Sequence, residues 1–412
     1  MKSIRIGSTL LLAALLVSCA STSPVRHPAS DDPTAGYGLG NHPWYGDNLS
    51  RLQKMIHTLG TDSTNYNPNS KPVATFDWDN TVMKNDAGDA MFFWLVANDK
   101  IKSPKDWDDS SAFLTNDAVS ALNSRCRNST PGTPLITSQN SACADLLLSV
   151  YDAGKLTDDL GGAAAWTTEA NPDTIVPAYA WVSQVLAGYS PDEVRDFARQ
   201  AKSFNLNNPV DATQRLGTKS FTAWVRVYDQ IKDLITSLKA SGFDVWIVTA
   251  SPQSVIEVYA EEVGITPDHV VGIRSTLTDD GKMTAKLEGC GTFADGNQEI
   301  ITYRQGKRCF INKMIFGVKG ANPQMSLRSP TAFAAGDSDT DVYFVKDALH
   351  HLAINRNKSE LMCNAYANLD RFWIINPMFI EPLARKQPDA TATTYSCKQY
   401  GLPDQSTDAV AP

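Results

Sequence analysis

Along most of this chain, short apolar runs alternate with stretches whose apolar residues recur at helical spacing. The runs at 72–76, 245–248, 270–273, 332–335, 352–354 and 372–375 are too short for buried helices and lack polar alternation. Each therefore predicts a strand covered on both faces. Ile231, Leu234, Ile235 and Leu238 fall at i, i+3, i+4 and i+7, the apolar face of a helix, and Gly242 follows as its stop. Helices are also predicted over 47–59, 90–98, 252–263 (closed by Gly264) and 307–316. Strands separated by helices predict an α/β fold in which a parallel sheet is flanked by helices. In such sheets a site lies at the carboxyl ends of the strands.

The stretch 99–215 breaks this rhythm. It is rich in Ser, Asn, Asp and Gly with helical islands between them. Ser190-Pro191-Asp192-Glu193 is a helix start, with serine as cap, proline in the first turn and glutamate three residues on. Val194, Phe197, Ala198 and Ala201 then line one face. The pattern predicts a mostly helical insertion after the first strand. The expected organisation is a leader at 1–18, a tether at 19–43, a core at 44–98 and 216–385, the insertion at 99–215, and a loose polar tail at 386–412.

Composition narrows the functional classes. The chain has 412 residues, 42% apolar and 20% charged, as an ordinary globular protein does. Its net charge is −8 with no basic run, which excludes nucleic acid as an expected partner. Lys2 and Arg5 precede an apolar run at 10–17 that is too short to span a bilayer as an ordinary helix. Leu16-Val17-Ser18-Cys19 resembles a bacterial lipobox, whose cysteine is lipidated. The alternative is an ordinary secretory signal. Either predicts export, and the first predicts a periplasmic or cell-surface protein attached to a membrane through lipid at Cys19. Six further cysteines suit an oxidising compartment, and proximity suggests the pairs Cys126–Cys143, Cys290–Cys309 and Cys363–Cys397. Buried free thiols are the competing reading.

Four short stretches carry chemistry. The first strand run ends in Asp77-Trp78-Asp79-Asn80-Thr81. Strand alternation puts both aspartates on one side, and two like charges that close ask for a cation or a proton. The second run ends in Thr249-Ala250-Ser251-Pro252, with Ser251 expected to cap a helix whose free amides would attract an anion. Lys307 opens a further helix, with Lys313 as a weaker competitor. The run 332–335 leads into Gly336-Asp337-Ser338-Asp339-Thr340-Asp341. Three acids at a strand tip need neutralising, and hard oxygen ligands suit Mg²⁺.

In this order the four stretches resemble the haloacid dehalogenase superfamily of phosphatases, with its DxDxT, strand-end Thr/Ser, helix-opening Lys and GDxxxD pattern. The resemblance covers roughly 70–95 and 220–380. It is nearest to the branch of phosphoserine phosphatase and bacterial phosphorylcholine phosphatase, and it implies a Rossmann-like core with the insertion as a cap. It also implies roles. Asp77 would attack phosphorus and form an aspartyl-phosphate, and Asp79 would act as acid and then base. Thr249, with Ser251 and Thr81, would bind the substrate, and Lys307 would neutralise charge. Asp77, Asp337 and the carbonyl of Asp79 would bind Mg²⁺, with Asp341 behind them holding Lys307 or supporting the metal. An acid at Asp79 points to hydrolysis or transfer of a small phosphate ester. Asp86 and Asp89 are candidate partners for a cationic substrate group, and Phe92, Phe93 and Trp94 for stacking on it, although an aromatic trio on a helix is more often core. A phosphotransferase and a non-catalytic binding lipoprotein remain the alternatives. Nothing in the sequence sets the oligomeric state.

Overall fold

The structure, a computed structural model, describes residues 39–40, 42–382 and 394–406. The expected leader at 1–18 and the lipidation site Cys19 lie outside the described residues, as do most of the tether and parts of the tail. Among the described residues no helix is long and apolar enough to cross a membrane.

Six parallel strands form the central sheet: β1 (Val73–Phe76), β2 (Asp244–Pro252), β3 (Val270–Ile273), β4 (Phe333–Gly336), β5 (His350–Asn355) and β6 (Trp373–Pro377). Their spatial order is β6-β5-β4-β1-β2-β3. This is the expected α/β fold with a Rossmann-like core. The strands are mostly apolar, and both faces are buried. Phe333 and Ala335 enter one core cluster and Ala334 the other. Leu352 and Ile354 against Ala353, and Ile374 against Trp373 and Ile375, repeat the alternation. The chain leaves β1 for β2 on one side and returns to β4 on the other. The strand order therefore reverses beside β1, and a crevice opens at the carboxyl ends there.

Helices cover the sheet. They include α1 (Asn48–Leu59), α2 (Ala87–Ala97), then α3 (Asn116–Arg125), α4 (Ser141–Leu148), α5 (Pro177–Gln184) and α6 (Pro191–Asn207) within 99–215. Beyond them lie α7 (Asp229–Ala240), α8 (Gln253–Tyr259), α9 (Gln305–Phe310), α10 (Ala321–Ser326), α11 (Val342–Asp347) and α12 (Ser359–Ala367). Ser190 closes its capping box on α6: its hydroxyl accepts from Glu193 N at 3.3 Å, and its own amide donates to Glu193 Oε2 at 2.7 Å. Phe92 packs on Tyr151 and Trp181, and Trp94 on Phe197, so most of the α2 aromatic trio is core.

Two expectations are corrected. The strand expected to end at 248 continues through Pro252, because Pro252 still pairs with Ile273 across an irregularity. Helix α8 therefore begins at Gln253, and Ser251 caps nothing. Part of the tail is anchored rather than loose. Tyr395 is buried and donates to Asn357 Oδ1 at 2.9 Å, and Cys397 is bonded to Cys363. The other cysteines join as Cys126–Cys143 and Cys290–Cys309.

Candidate active site

The crevice is built by two strand tips. Asp77 N donates to Ala335 O at 3.0 Å, which extends the β1–β4 pairing one residue past the strand. The chain then turns sharply. The Trp78 carbonyl receives the amides of Thr81, Val82 and Met83, and Asn80 takes a left-handed conformation, φ 61°. Asparagine tolerates that region better than most residues. The turn brings Thr81 back under Asp77, where its hydroxyl lies 3.2 Å from Asp77 Oδ2 and 3.1 Å from Asp337 Oδ1. One hydroxyl proton serves these two acceptors in turn.

On β4 the acids are arranged by Asp341. Its Oδ2 accepts the amides of Asp337 at 3.0 Å and Ser338 at 3.1 Å, which curls the strand tip around the carboxylate. A Cβ on Gly336 would stand 2.6 Å from Asp341 Cβ, so only glycine fits this close approach. Lys307, third residue of α9, is fully buried and reaches between the strand tips. Its Nζ donates to Asp77 Oδ1 at 2.5 Å and to Asp341 Oδ1 at 2.6 Å. Lys313 points elsewhere, to Gly289 O.

Asp79 is held separately. Its Oδ1 accepts the Ala87 amide at 2.6 Å, at the start of α2. Its Oδ2 accepts Ser251 Oγ at 2.6 Å, with Thr249 Oγ1 at 3.4 Å. Ser251, expected to contact substrate, thus aims at Asp79, and its amide donates to Thr249 Oγ1 at 3.1 Å. The structure brings Asp77, Asp79, Thr81, Thr249, Ser251, Lys307, Asp337 and Asp341 into one cluster from four distant segments.

Residues 156–346 match the model of the haloacid dehalogenase-like hydrolase family. The match begins inside the insertion and includes Thr249, Lys307, Asp337 and Asp341 but not Asp77 or Asp79. A conserved functionally unknown protein from Anaerococcus prevotii is similar in structure, with 22% identity, a TM-score of 0.55, and 81% of this chain and 92% of that one covered. A protein with unknown function from Bordetella pertussis is 17% identical, with a TM-score of 0.43 over 75% of this chain and 100% of that one. A phosphoserine phosphohydrolase-like protein from Francisella tularensis is 13% identical, with a TM-score of 0.32 over 70% of this chain and 89% of that one. The comparison with curated proteins gives no match. The six-stranded parallel sheet is the Rossmann-like fold of haloacid dehalogenase-like hydrolases.

Burial governs the charges in this crevice. It raises the carboxyl of Asp77 well above the usual range, and Asp341 adds to this while Lys307 opposes it. Asp79 is raised by burial and then by Asp86. Asp337 is raised by burial, against the nearby Arg356. Burial alone would push the Lys307 ammonium down, but Asp341 and Asp77 together outweigh it and hold the lysine charged.

A metal fits this donor set. Oxygens of Asp77, Asp337 and Asp341 lie within 4.8 Å of one another, all buried. The Thr81 hydroxyl lies within hydrogen-bond distance of both Asp77 and Asp337, and two buried carboxylates that close are what a hard cation would neutralise. Asp341 is already satisfied by Lys307 and two amides. Asp77 and Asp337 are therefore the carboxylates left to hold an ion.

Two connected cavities open above the acids. The smaller, about 50 Å³, is lined by Asp77, Asp79, Ser251 and Asp337. The larger, about 300 Å³, is lined by Asp89, Phe93, Asn205 and Trp224 among others, and shares Asp86, Tyr151, Tyr179 and Arg356 with the first. Tyr151 donates a short hydrogen bond to Asp89, and burial followed by Asp86 lifts the Asp89 carboxyl to about 8. Of the α2 aromatic trio only Phe93 reaches a cavity wall. Sequence reasoning missed Arg356, Tyr151 and Tyr179. Arg356 had a signal, an arginine just past a buried strand at its carboxyl end. The tyrosines lie in the insertion, and only folding brings them here.

Proposed function

We propose that this protein is an exported, Mg²⁺-dependent phosphomonoesterase, tethered to a membrane through lipid at Cys19, that cleaves a small phosphate ester. The observation that carries the reading is Lys307 bridging Asp77 and Asp341 beside Asp337, while Asp79 is held apart by Ser251 and the Ala87 amide. The two aspartates of one strand tip stand in different surroundings, which suits different roles.

Asp77 is the nucleophile. Its attack on phosphorus forms an aspartyl-phosphate and releases the alcohol. Asp79, raised by burial, delivers a proton to the departing alkoxide and later takes one from the water that cleaves the acyl phosphate. Lys307 offsets charge on Asp77 and the incoming phosphoryl group. On this reading Thr249 and Thr81 would offer hydroxyls to a phosphoryl oxygen from fully buried positions behind the cavity wall. Asp77 and Asp337, with the Asp79 carbonyl, would hold Mg²⁺, whose contribution is to neutralise charge on the phosphoryl oxygens. The insertion supplies Tyr151, Tyr179 and Val182 to the cavity walls, which suits a cap that limits water and selects the alcohol.

The larger cavity supports an alcohol with an ammonium group, as in phosphorylcholine or phosphoserine. Asp86 and Asp89 line this cavity, where a substrate cation would favour the charged form of Asp89, and Tyr151, Tyr179 and Trp224 line it with them. The test is a phosphoester screen with purified protein, covering phosphorylcholine, phosphoserine, nucleotides and an aryl phosphate, in Mg²⁺ and again in excess chelator. Hydrolysis that survives chelation, or none of any ester, overturns the reading.

A further inference from the structure

Four carboxylates line the smaller cavity, from Asp77, Asp79, Asp86 and Asp337. Lys307 lies behind them, fully buried and committed to Asp77 and Asp341. Arg356 is the single cationic side chain in the lining of either cavity, and it belongs to both. It follows β5 directly, at the carboxyl edge of the sheet and next to the β4 tip that carries Asp337. Its NH1 donates to Asp337 Oδ2 at 3.0 Å. Asp337 is almost fully buried in this pair, whereas the arginine side chain keeps 36% of its surface exposed. Its charge also acts on Asp86 and Asp89 across the cavity.

Asp337 is one of the carboxylates that would hold a divalent cation. A guanidinium on it is a competitor, because the two charges cannot share one carboxylate oxygen at close range without strong repulsion. A phosphate dianion poses the opposite problem. Entering a chamber of carboxylates, it needs a donor with positive charge on the open side, whereas Lys307 acts from behind Asp77 with no exposed surface. One half-exposed side chain answers both demands if it changes partners.

We propose that Arg356 is the exchangeable partner of Asp337: its guanidinium balances that carboxylate until a divalent cation takes the oxygen, and then pairs with the phosphoryl group of the substrate. Metal loading thereby arms the phosphate site, and a guanidinium held on Asp337 keeps anions from being bound productively before the metal. The inference rests on the phosphatase reading above and adds to it an ordered, coupled loading of metal and phosphate.

The exchange has a signature that a fixed positive charge lacks: the arginine matters to phosphate only once the metal has released it from Asp337. Calorimetric titration of the full chain with Mg²⁺ alone should show Arg356→Gln binding the ion about fivefold more tightly than wild type, since a competing charged hydrogen bond is gone. Titration with inorganic phosphate should show the same variant binding about tenfold more weakly in saturating Mg²⁺ but within about twofold of wild type without it, whereas equal weakening in both conditions overturns the exchange. Arg356→Lys, which keeps the charge but not the fork, should fall between the two in both titrations. Unchanged or weaker Mg²⁺ binding by Arg356→Gln overturns the exchange, as does unchanged phosphate affinity in saturating Mg²⁺. If wild type binds no Mg²⁺, the phosphatase reading fails and takes this inference with it. Wild-type Mg²⁺ binding that Arg356→Gln leaves unaltered defeats the exchange alone.

Discussion

Lys307 Nζ lies 2.5 Å from Asp77 Oδ1, at the end of a side chain with no exposed surface. A lysine that deep is stable only as an ion pair, and its partners Asp77 and Asp341 come from opposite ends of the sequence. The pair links β1, β4 and α9 at one point, so it serves the fold and the site together.

Lys307→Met should therefore do more than silence the site. It leaves two buried carboxyls facing each other with no cation, and we expect a loss of about 3 kcal/mol in unfolding free energy. Urea denaturation measures it. A loss below about 1 kcal/mol would show that the lysine is no more than a surface-grade pair.

Asp79→Asn separates the acid from the nucleophile. The variant keeps the shape of the Ser251 and Ala87 contacts but cannot deliver a proton. Hydrolysis of an alkyl phosphate should fall by about a hundredfold or more, and that of an aryl phosphate with a good leaving group by clearly less. Rates on the two esters give the ratio. Equal losses would remove Asp79 from the proton-transfer role.

Gly336→Ala tests the packing behind the acids. The new methyl would meet the Asp341 side chain at less than van der Waals distance. Asp341 must move, and with it the amides of Asp337 and Ser338 and the Lys307 ammonium. We expect stability to fall by about 1–3 kcal/mol and turnover to fall with it. An alanine variant with native turnover would mean that Asp341 does not place Lys307.

The pH dependence of stability has a definite sign at Asp89. Burial and Asp86 raise its carboxyl from 3.8 to about 8 in the folded protein. Across that interval the folded state holds a proton that the unfolded chain has lost, so stability falls as pH rises through it. Asp89→Asn removes this contribution. Between pH 5 and pH 8 its Tm should drop less than that of wild type, by about 3 °C or more. Parallel Tm profiles for the two proteins would contradict the shift.

Much of this was legible in the chain because strand tips advertise themselves. An apolar run that stops in Asp77 and Asp79, and another that stops in Asp337, cannot be mistaken for turns between surface elements. Lys307 was weaker as a signal, since a lysine near a helix start is usually solvated; only its burial between Asp77 and Asp341 distinguishes it. Ser251 was misread because a serine before proline has the form of a helix cap, whereas pairing with β3 carries the strand one residue past it, to Pro252. Phe92 and Trp94 are core, the reading an aromatic run on a helix favours over a stacking box. Arg356, Tyr151 and Tyr179 could not be placed from local pattern at all. Their position depends on how the insertion and the β5 edge meet the crevice, which is long-range information.

The most direct test of the central claim is hydrolysis of an aryl phosphate in Mg²⁺ by wild type and by Asp77→Asn. The asparagine keeps the size and most hydrogen bonds of Asp77 but cannot form an acyl phosphate. Turnover by wild type and none above background by the variant is the expected result. A variant that hydrolyses the ester at the wild-type rate would contradict the account.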